Sequence, residues 1–245
     1  MNLYEKIKYR IEATLASGEQ PVIIFDLDDT LIDCRHRKHR VIHDFIKQSH
    51  VQESFALECQ LVEQLSWENV QYRVLDTLAQ HGIRNQMFGD QLFQFWREKY
   101  FTYPYLIDDK AFPGALEFVH HCYNLGATIV YLTGRDIPGM GQATFDAMPR
   151  LGFPSTGDRV HFILKEDPAI ADLEFKVMAL EKIAPLGTVI AAFENELPNL
   201  HVMAERFPEA DMYWRKTLYL PNPPEPLSHV EILLDFKGDD DAGHS

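Results

Sequence analysis

The chain has 245 residues, and its 37 acidic against 23 basic side chains give a formal net charge of −14 at pH 7. Nucleic acids and anionic membrane surfaces favour basic proteins, so this charge argues against both kinds of partner. Apolar residues make up 46% of the chain, as in ordinary globular proteins. Three scattered cysteines are too few for a disulfide framework, and no apolar block suits a signal peptide or a membrane helix. We therefore expect a cytoplasmic protein.

Short apolar runs alternate with helical patterns along most of the chain. Residues 3–15 have apolar side chains at helical spacing, and Gly18 marks the end of this first helix. Runs typical of strands buried on both faces occupy residues 22–25, 128–132, 160–164 and 188–193, with a possible fifth at 217–220. Helical patterns separate them at residues 115–126, 143–151, 173–183 and 197–207. The alternation predicts a doubly wound α/β fold with a Rossmann-like parallel sheet.

One stretch breaks this alternation. Residues 35–103 contain no convincing strand but four segments with helical spacing, the last of which Asp90 is expected to cap. We predict an α/β core at residues 1–33 and 106–220, a small all-α domain inserted at 34–105, and a C-terminal tail at 221–245. The tail is Pro-rich at its start, and its acidic end at 239–241 is predicted to be disordered. Residues 230–236 could form either a short strand or a helix.

Three acidic residues, Asp26, Asp28 and Asp29, followed by Thr30, come directly after the first predicted strand. Open α/β sheets bind ligands at the carboxyl ends of their strands. Asp26 and Asp28 point to the same side of an extended chain, and carboxylates this close repel each other unless a cation or a shared proton compensates. Mg²⁺ is a hard ion that prefers oxygen ligands, so this segment predicts a metal-dependent site.

A second polar segment, Thr133-Gly134-Arg135, follows the second predicted strand. A hydroxyl group and a glycine amide at a strand end can hold a phosphate oxygen, because glycine lets the backbone approach closely. The tripeptide alone is a weak signal. Its position in the same sheet as the acidic segment makes it a candidate phosphate site.

Together these residues resemble the haloacid dehalogenase (HAD) superfamily of phosphohydrolases. The family's first motif, Asp-x-Asp-x-Thr, stands here at residues 26–30, and Thr133 matches the second motif. Many members carry a helical cap domain between these two motifs, where this chain has its helical insertion. The third motif is a phosphate-binding lysine, for which Lys176 and Lys165 are both candidates. We favour Lys176, because in many members the lysine opens a helix just before the fourth strand.

The fourth motif of the family is an acidic segment after the fourth strand, and here it reads Glu194-Asn195-Glu196. Most members have an aspartate where this chain has Glu194. A glutamate can still reach a metal, although its extra methylene changes the backbone distance. Asn195 and Glu196 could contribute through water or cap the following helix, and the sequence leaves these roles open.

The resemblance implies a Mg²⁺-dependent phosphatase that acts on a small phosphorylated metabolite. Asp26 is then the nucleophile that forms an aspartyl-phosphate, and Asp28 is the general acid and base. The implied metal ligands are Asp26, the backbone carbonyl of Asp28, and Glu194. The implied phosphate-binding residues are Thr133, Gly134 and Lys176.

Three alternatives remain beside this function. A phosphotransferase such as a mutase would use the same motifs. Carbon–halogen hydrolysis also occurs in the superfamily, but it usually lacks the second acid of the first motif, so Asp28 argues against it. A catalytically silent, ligand-binding relative is the third alternative, because Glu194 departs from the family pattern.

Two further segments have more than one interpretation. Residues 35–40 form a basic island in which Arg37 or Arg40 could attract a phosphorylated substrate, although we favour a solvated helix face. Aromatic residues are frequent at 88–105. Most are expected in the core of the insertion, and a few are expected to contact the organic leaving group of a substrate.

Overall fold

The sheet at the centre of the molecule is parallel throughout. In the computed structural model, which describes residues 1–237, its strands are β1 (Pro21–Phe25), β2 (Thr128–Asp136), β3 (Val160–Lys165), β4 (Thr188–Glu194), β5 (Asp211–Arg215) and β6 (Val230–Leu233). They pair in the order β3-β2-β1-β4-β5-β6, so the chain starts at the centre and winds outwards in both directions. This architecture confirms the predicted doubly wound, Rossmann-like α/β fold.

Helices cover both faces of the sheet. In chain order the α-helices of the described residues are α1 (Leu3–Ala16), α2 (Arg35–Ile46), α3 (Ser49–Ser54), α4 (Ala56–Glu63), α5 (Val74–Gln80), α6 (Gln86–Lys99), α7 (Tyr103–Leu106), α8 (Ala115–Asn124), α9 (Gln142–Leu151), α10 (Asp172–Ile183) and α11 (Leu197–Arg206). Helices α1 and α8 pack on one face, and α10 and α11 pack on the other. Strand β1 is apolar throughout because Ile23 and Phe25 enter the first of these cores and Val22 and Ile24 enter the second.

The C-terminal part of the sheet differs from the sequence prediction. The fifth strand is Asp211–Arg215 and not residues 217–220. The sequence pattern misses it because charged residues at both of its ends obscure a short buried apolar interior. Strand β6 lies within the segment predicted as a tail, residues 221–245, and pairs with β5. Phe236 is fully buried in the core beneath α1 and α8. The folded core therefore extends beyond residue 220, whereas the acidic end predicted to be disordered lies outside the described residues.

The chain between β1 and β2 is helical, as predicted. The four predicted segments correspond to α2, α4, α5 and α6, and the short helices α3 and α7 were not anticipated. These helices share an apolar core of their own that includes Phe45, Val62, Leu78, Phe88 and Leu92. Helix α6 is capped by Asn85, which accepts a hydrogen bond from Phe88 N at 3.3 Å, and not by Asp90, which lies inside the helix. No helix within residues 1–237 has the length and apolar character to cross a bilayer.

Candidate active site

The carboxyl ends of β2, β1 and β4 lie side by side, and each carries predicted site residues. Asp26 directly follows β1, Thr133 lies in the last part of β2, and Glu194 ends β4. The Asp26 N–H still donates to the sheet, to Phe193 O at 3.0 Å. The strand order therefore brings together three motifs that are far apart in the sequence.

Lys176 joins two of these strand ends. Its side chain extends from α10 and is 2% exposed, and its Nζ donates to Asp26 Oδ1 at 2.7 Å and to Glu194 Oε2 at 2.8 Å. A third hydrogen bond goes to Leu132 O at 2.9 Å. Burial alone would lower the pKa of Lys176, but the two carboxylates raise it above its usual range. The ammonium group therefore remains charged between the two acids.

Two buried carboxylates share one ammonium group in this cluster, so ionising both of them leaves an excess of negative charge. Burial and the neighbouring Glu194 carboxylate raise the pKa of Asp26 above its usual range, against the opposing effect of Lys176. Asp26 Oδ2 accepts no hydrogen bond from the rest of residues 1–237. A cation beside the Asp26 and Glu194 carboxylates would balance this charge.

The donor atoms suit a hard divalent cation. Within the described part of the chain, no three side chains of His, Cys, Asp or Glu converge as in a metal centre built only from side chains. The predicted ligand set needs two side chains, Asp26 and Glu194, together with the backbone carbonyl of Asp28. All of these donors are oxygens, the ligands that Mg²⁺ prefers, so the residues present fit the ion.

Two arginines hold the Asp28 carboxylate. Arg135 donates from Nε to Oδ2 at 2.8 Å and from Nη2 to Oδ1 at 2.7 Å, and Arg37 Nη2 donates to Oδ1 at 2.5 Å. The Cys34 thiol donates to the same oxygen at 2.8 Å. Desolvation alone would raise the pKa of Asp28, but the guanidinium groups of Arg135 and Arg37 outweigh it and hold the pKa well below its usual range. Asp28 is therefore ionised in this arrangement.

Both arginines also bind Asp109, a residue that the sequence did not single out. Arg37 donates to it from Nε at 2.8 Å and from Nη2 at 3.1 Å, and Arg135 Nη2 donates at 2.7 Å. None of these three side chains is more than 1% exposed. Arg37 belongs to α2, Asp109 follows α7, and Arg135 belongs to β2. A network of the buried Arg37, Arg135 and Asp109 with the half-buried Asp28 thus joins the helical insertion to the sheet.

The basic island at residues 35–40 is not a solvated face throughout. Arg37 and Lys38 are 2% and 4% exposed, and Lys38 Nζ donates to Asp29 Oδ2 at 3.1 Å. Arg40 is exposed and pairs with Asp108 at 2.5 Å. The favoured interpretation is therefore wrong for Arg37 and Lys38, because α2 begins beside the carboxylates of the first motif. Asp29 makes this ion pair with Lys38 and does not belong to the group of Asp26, Lys176 and Glu194 at the strand ends.

Thr133 and Gly134 line the same cavity as the Asp26 carboxylate. A Cβ atom at Gly134 would lie 3.1 Å from the carboxylate of Asp172, a tight contact that would require the Asp172 side chain to shift. Lys165, the alternative phosphate lysine, pairs with Asp172 at 2.7 Å and makes no contact with Asp26. The geometry therefore favours the other candidate lysine, on α10.

The side chains of Asn195 and Glu196 tie the end of β4 to neighbouring loops. Asn195 accepts a hydrogen bond from Thr30 Oγ1 at 3.2 Å and donates to Leu218 O at 2.6 Å. Glu196 accepts from Leu220 N at 3.0 Å and makes no capping hydrogen bond to α11. The first of these hydrogen bonds joins the first motif to the fourth, and the other two join the fourth motif to the loop that was predicted as a strand.

A cavity of about 540 Å³ opens over the strand ends, a volume suited to a small organic ligand. The strand-end cluster of Asp26, Lys176 and Glu194 lines its polar side. Helices α5 and α6 of the insertion, with the residues that follow α6, line an apolar side on which Leu75, Phe93, Trp96, Tyr100 and Phe101 are found. The cavity thus combines a charged side with an aromatic one.

No protein-family model matches the chain, and no curated protein matches it. Solved structures do match. YfnB from Bacillus subtilis, assigned to the HAD hydrolases and bound to magnesium, is 14% identical, with a TM-score of 0.53, over 89% of this chain and 95% of that one. CbbY from Rhodobacter sphaeroides in complex with phosphate is 13% identical, with a TM-score of 0.50, over 89% and 95%.

The class C acid phosphatase from Bacillus anthracis with tungstate bound is 16% identical, with a TM-score of 0.41. The match covers 80% of this chain and 63% of that protein, so this chain spans less than two thirds of its length. At sequence identities this low, similarity to these solved structures establishes the fold alone. The chain has the HAD-like fold, as the resemblance in its motifs predicts.

Proposed function

We propose that this protein is a Mg²⁺-dependent phosphatase of the HAD type that hydrolyses a monoester of a small phosphorylated metabolite. The observation that carries the proposal is the buried cluster of Asp26, Lys176 and Glu194 at the strand ends, open to a cavity of ligand size. The magnesium in YfnB and the phosphate in CbbY support the same chemistry in proteins of this fold. We keep the proposal to a small substrate, because the net charge of −14 disfavours nucleic-acid polymers.

Asp26 is the nucleophile in this proposal. Its Oδ2 is free of hydrogen bonds within the described residues, whereas Lys176 fixes Oδ1. Oδ2 would attack phosphorus, form the new phosphorus–oxygen bond of an aspartyl-phosphate and release the ester oxygen as an alcohol. Water would then attack phosphorus, cleave the bond to Oδ2, and release inorganic phosphate and the free Asp26 carboxylate. Thr133, Gly134 and Lys176 would bind the oxygens of the transferring group.

Mg²⁺ would be held by Asp26, Glu194 and the backbone carbonyl of Asp28. When bound, it would neutralise charge between the carboxylate nucleophile and the anionic phosphate. The cations of the chain alone do not achieve this balance, because Lys176 is shared by two carboxylates.

Asp28 is the acid–base group of the proposal. Its surroundings favour its role as the base and oppose its role as the acid. The ionised carboxylate held by Arg37 and Arg135 is ready to accept a proton from the attacking water. Donating a proton to the leaving oxygen requires that the carboxylate first gain one, which its contacts with two guanidinium groups oppose. The acid step would therefore require that these contacts with Asp28 be weakened.

A phosphatase assay with and without metal tests the function. We expect hydrolysis of 4-nitrophenyl phosphate in Mg²⁺ and a fall to background in excess EDTA, with recovery when Mg²⁺ is restored. Activity that survives thorough chelation would exclude the metal. No turnover of any phosphate ester in Mg²⁺ would favour the second candidate, a silent ligand-binding relative, which the occupied Asp28 carboxylate also supports.

Replacing Glu194 tests the metal site separately from turnover. In Glu194→Gln, Asp26 and Lys176 remain as a neutral pair, so we expect the metal-free protein to stay folded. The Mg²⁺ concentration for half-maximal activity should rise by about 10–100-fold or more, since even groups that only support metal ligands have effects of this size. The rise in thermal midpoint that Mg²⁺ gives the unmodified protein should be lost as well.

Glu196→Gln is the matched control for this variant. Glu196 also lines the cavity, but it does not contact Lys176, so its Mg²⁺ response should stay close to that of the unmodified protein. An unchanged Mg²⁺ response in Glu194→Gln would remove this residue from the metal site.

A further inference from the structure

We infer that the cavity selects phosphate monoesters whose organic part is planar and apolar, such as an aryl or benzyl group, over esters of small polar alcohols. This inference rests on the proposed phosphatase function for the position of the phosphate group. It adds the chemical class of the organic group, which the strand-end cluster does not specify.

The apolar side of the cavity combines rings that pack against the core of the insertion, Trp96 and Tyr100, with large apolar side chains that the core leaves exposed. On α6, Phe88 and Leu92 are fully buried, whereas Phe93 on the same helix is 42% exposed and lines the cavity. Leu75 and Phe101 line it too, and each is 41% exposed. Large apolar side chains that remain exposed inside a cavity favour a ligand that covers them.

The rings of this side form a continuous aromatic surface. Phe93 and Trp96 are stacked, with ring centroids 6.0 Å apart and planes 8° apart, and Trp96 and Tyr100 are stacked at 4.6 Å. Phe101 and Trp96 pack in a T-shaped arrangement with ring centroids 5.3 Å apart. Surfaces of this kind recognise flat apolar groups through stacking and edge contacts.

Most of the cations that line the cavity are already paired with carboxylates. Lys38, Arg135 and Lys176 are each paired with carboxylates of the protein. Arg73 is the one lining cation that has no ion pair among the described residues, and it lies beside Val74 and Leu75 on the apolar side. A single phosphate at the strand ends, with an apolar group against the rings, therefore uses both the charged and the aromatic side of the cavity.

The test compares two esters of primary alcohols, so that the leaving groups are similar and the organic surface differs. Dissociation constants of benzyl phosphate and ethyl phosphate are measured by calorimetry on full-length Asp26→Asn, which is designed to bind without turnover. We expect benzyl phosphate to bind about three- to tenfold more tightly, the range of one aromatic contact. Adding Phe93→Ala should remove most of this preference and leave the affinity for ethyl phosphate unchanged.

Phe145→Ala is the matched control, because Phe145 is 43% exposed but lies outside the cavity lining. It should keep the preference. Phe101→Ala provides a second cavity variant if Phe93→Ala does not fold. Equal affinity for the two esters, no binding of either, or a preference that survives both cavity variants would overturn the inference.

These outcomes are separable from failure of the proposed function. A preference for benzyl phosphate in a protein that hydrolyses neither ester would support the binding inference and reject the phosphatase. Hydrolysis of both esters with equal Michaelis constants would support the phosphatase and reject the inference.

Discussion

Asp26→Asn is expected to lower turnover of 4-nitrophenyl phosphate by a factor on the order of 10⁴–10⁶, the effect of removing a nucleophile that acts as one unit with its partners. The amide has nearly the shape of the carboxylate, and its oxygen can still accept the hydrogen bond that Lys176 Nζ now gives to Asp26 at 2.7 Å. It cannot form a stable bond to phosphorus. Steady-state kinetics, with circular dichroism to verify the fold, measure the effect.

Asp172→Asn is the matched control for this prediction. Asp172 also lines the cavity, but its side chain is 66% exposed and pairs with Lys165, away from the strand-end cluster. We expect turnover within about tenfold of the unmodified protein, because only a partly exposed ion pair is lost. Turnover by Asp26→Asn that stays close to this control would reject Asp26 as the nucleophile.

Asp109→Ala is expected to lower the free energy of unfolding by about 3–5 kcal/mol, the usual effect of removing one partner from a buried ion pair. Asp109 is fully buried and receives hydrogen bonds from both Arg37 and Arg135. Its loss leaves two buried guanidinium groups with Asp28 as their shared carboxylate. Chemical denaturation, followed by fluorescence and circular dichroism, measures the change.

Asp108→Ala, one residue away, provides the comparison. The Asp108 carboxylate is 56% exposed and pairs with the exposed Arg40, so its removal should change the unfolding free energy by less than about 1 kcal/mol. Similar losses in the two variants would show that the buried network does not stabilise the junction between insertion and sheet. A large loss confined to Asp109→Ala would support it.

Much of the fold could be predicted because its signals are local. The β-branched run before Asp26 is buried on both faces, and a continuously apolar strand of this kind has few alternatives to a parallel sheet. The helices that alternate with the strands follow from their 3.6-residue periodicity. Strand β5 was missed because Asp211 and Arg215 place charges at its ends, and β6 was left open because it is short and follows a Pro-rich segment.

The candidate site divides in a similar way. Asp26, Thr133 and Glu194 could be named in advance because each follows or ends an apolar run, and parallel strands bring such positions to one edge. Asp109 could not be named, since an aspartate after a helix is ordinarily a solvated residue. Its burial depends on two arginines that come from α2 and β2. No local sequence pattern indicates that these distant residues are in contact.

The sequence by itself determined the strand-and-helix order, the helical insertion and the positions of the motif residues, because hydrophobic periodicity and strand ends are properties of short segments. The tertiary structure decided which charges meet. It placed Lys176 and not Lys165 between Asp26 and Glu194, and it turned part of a basic island towards Asp28 and Asp29. Electrostatic energies depend on the distances between charged groups and on their burial in the folded protein. The spacing of residues along the chain determines neither.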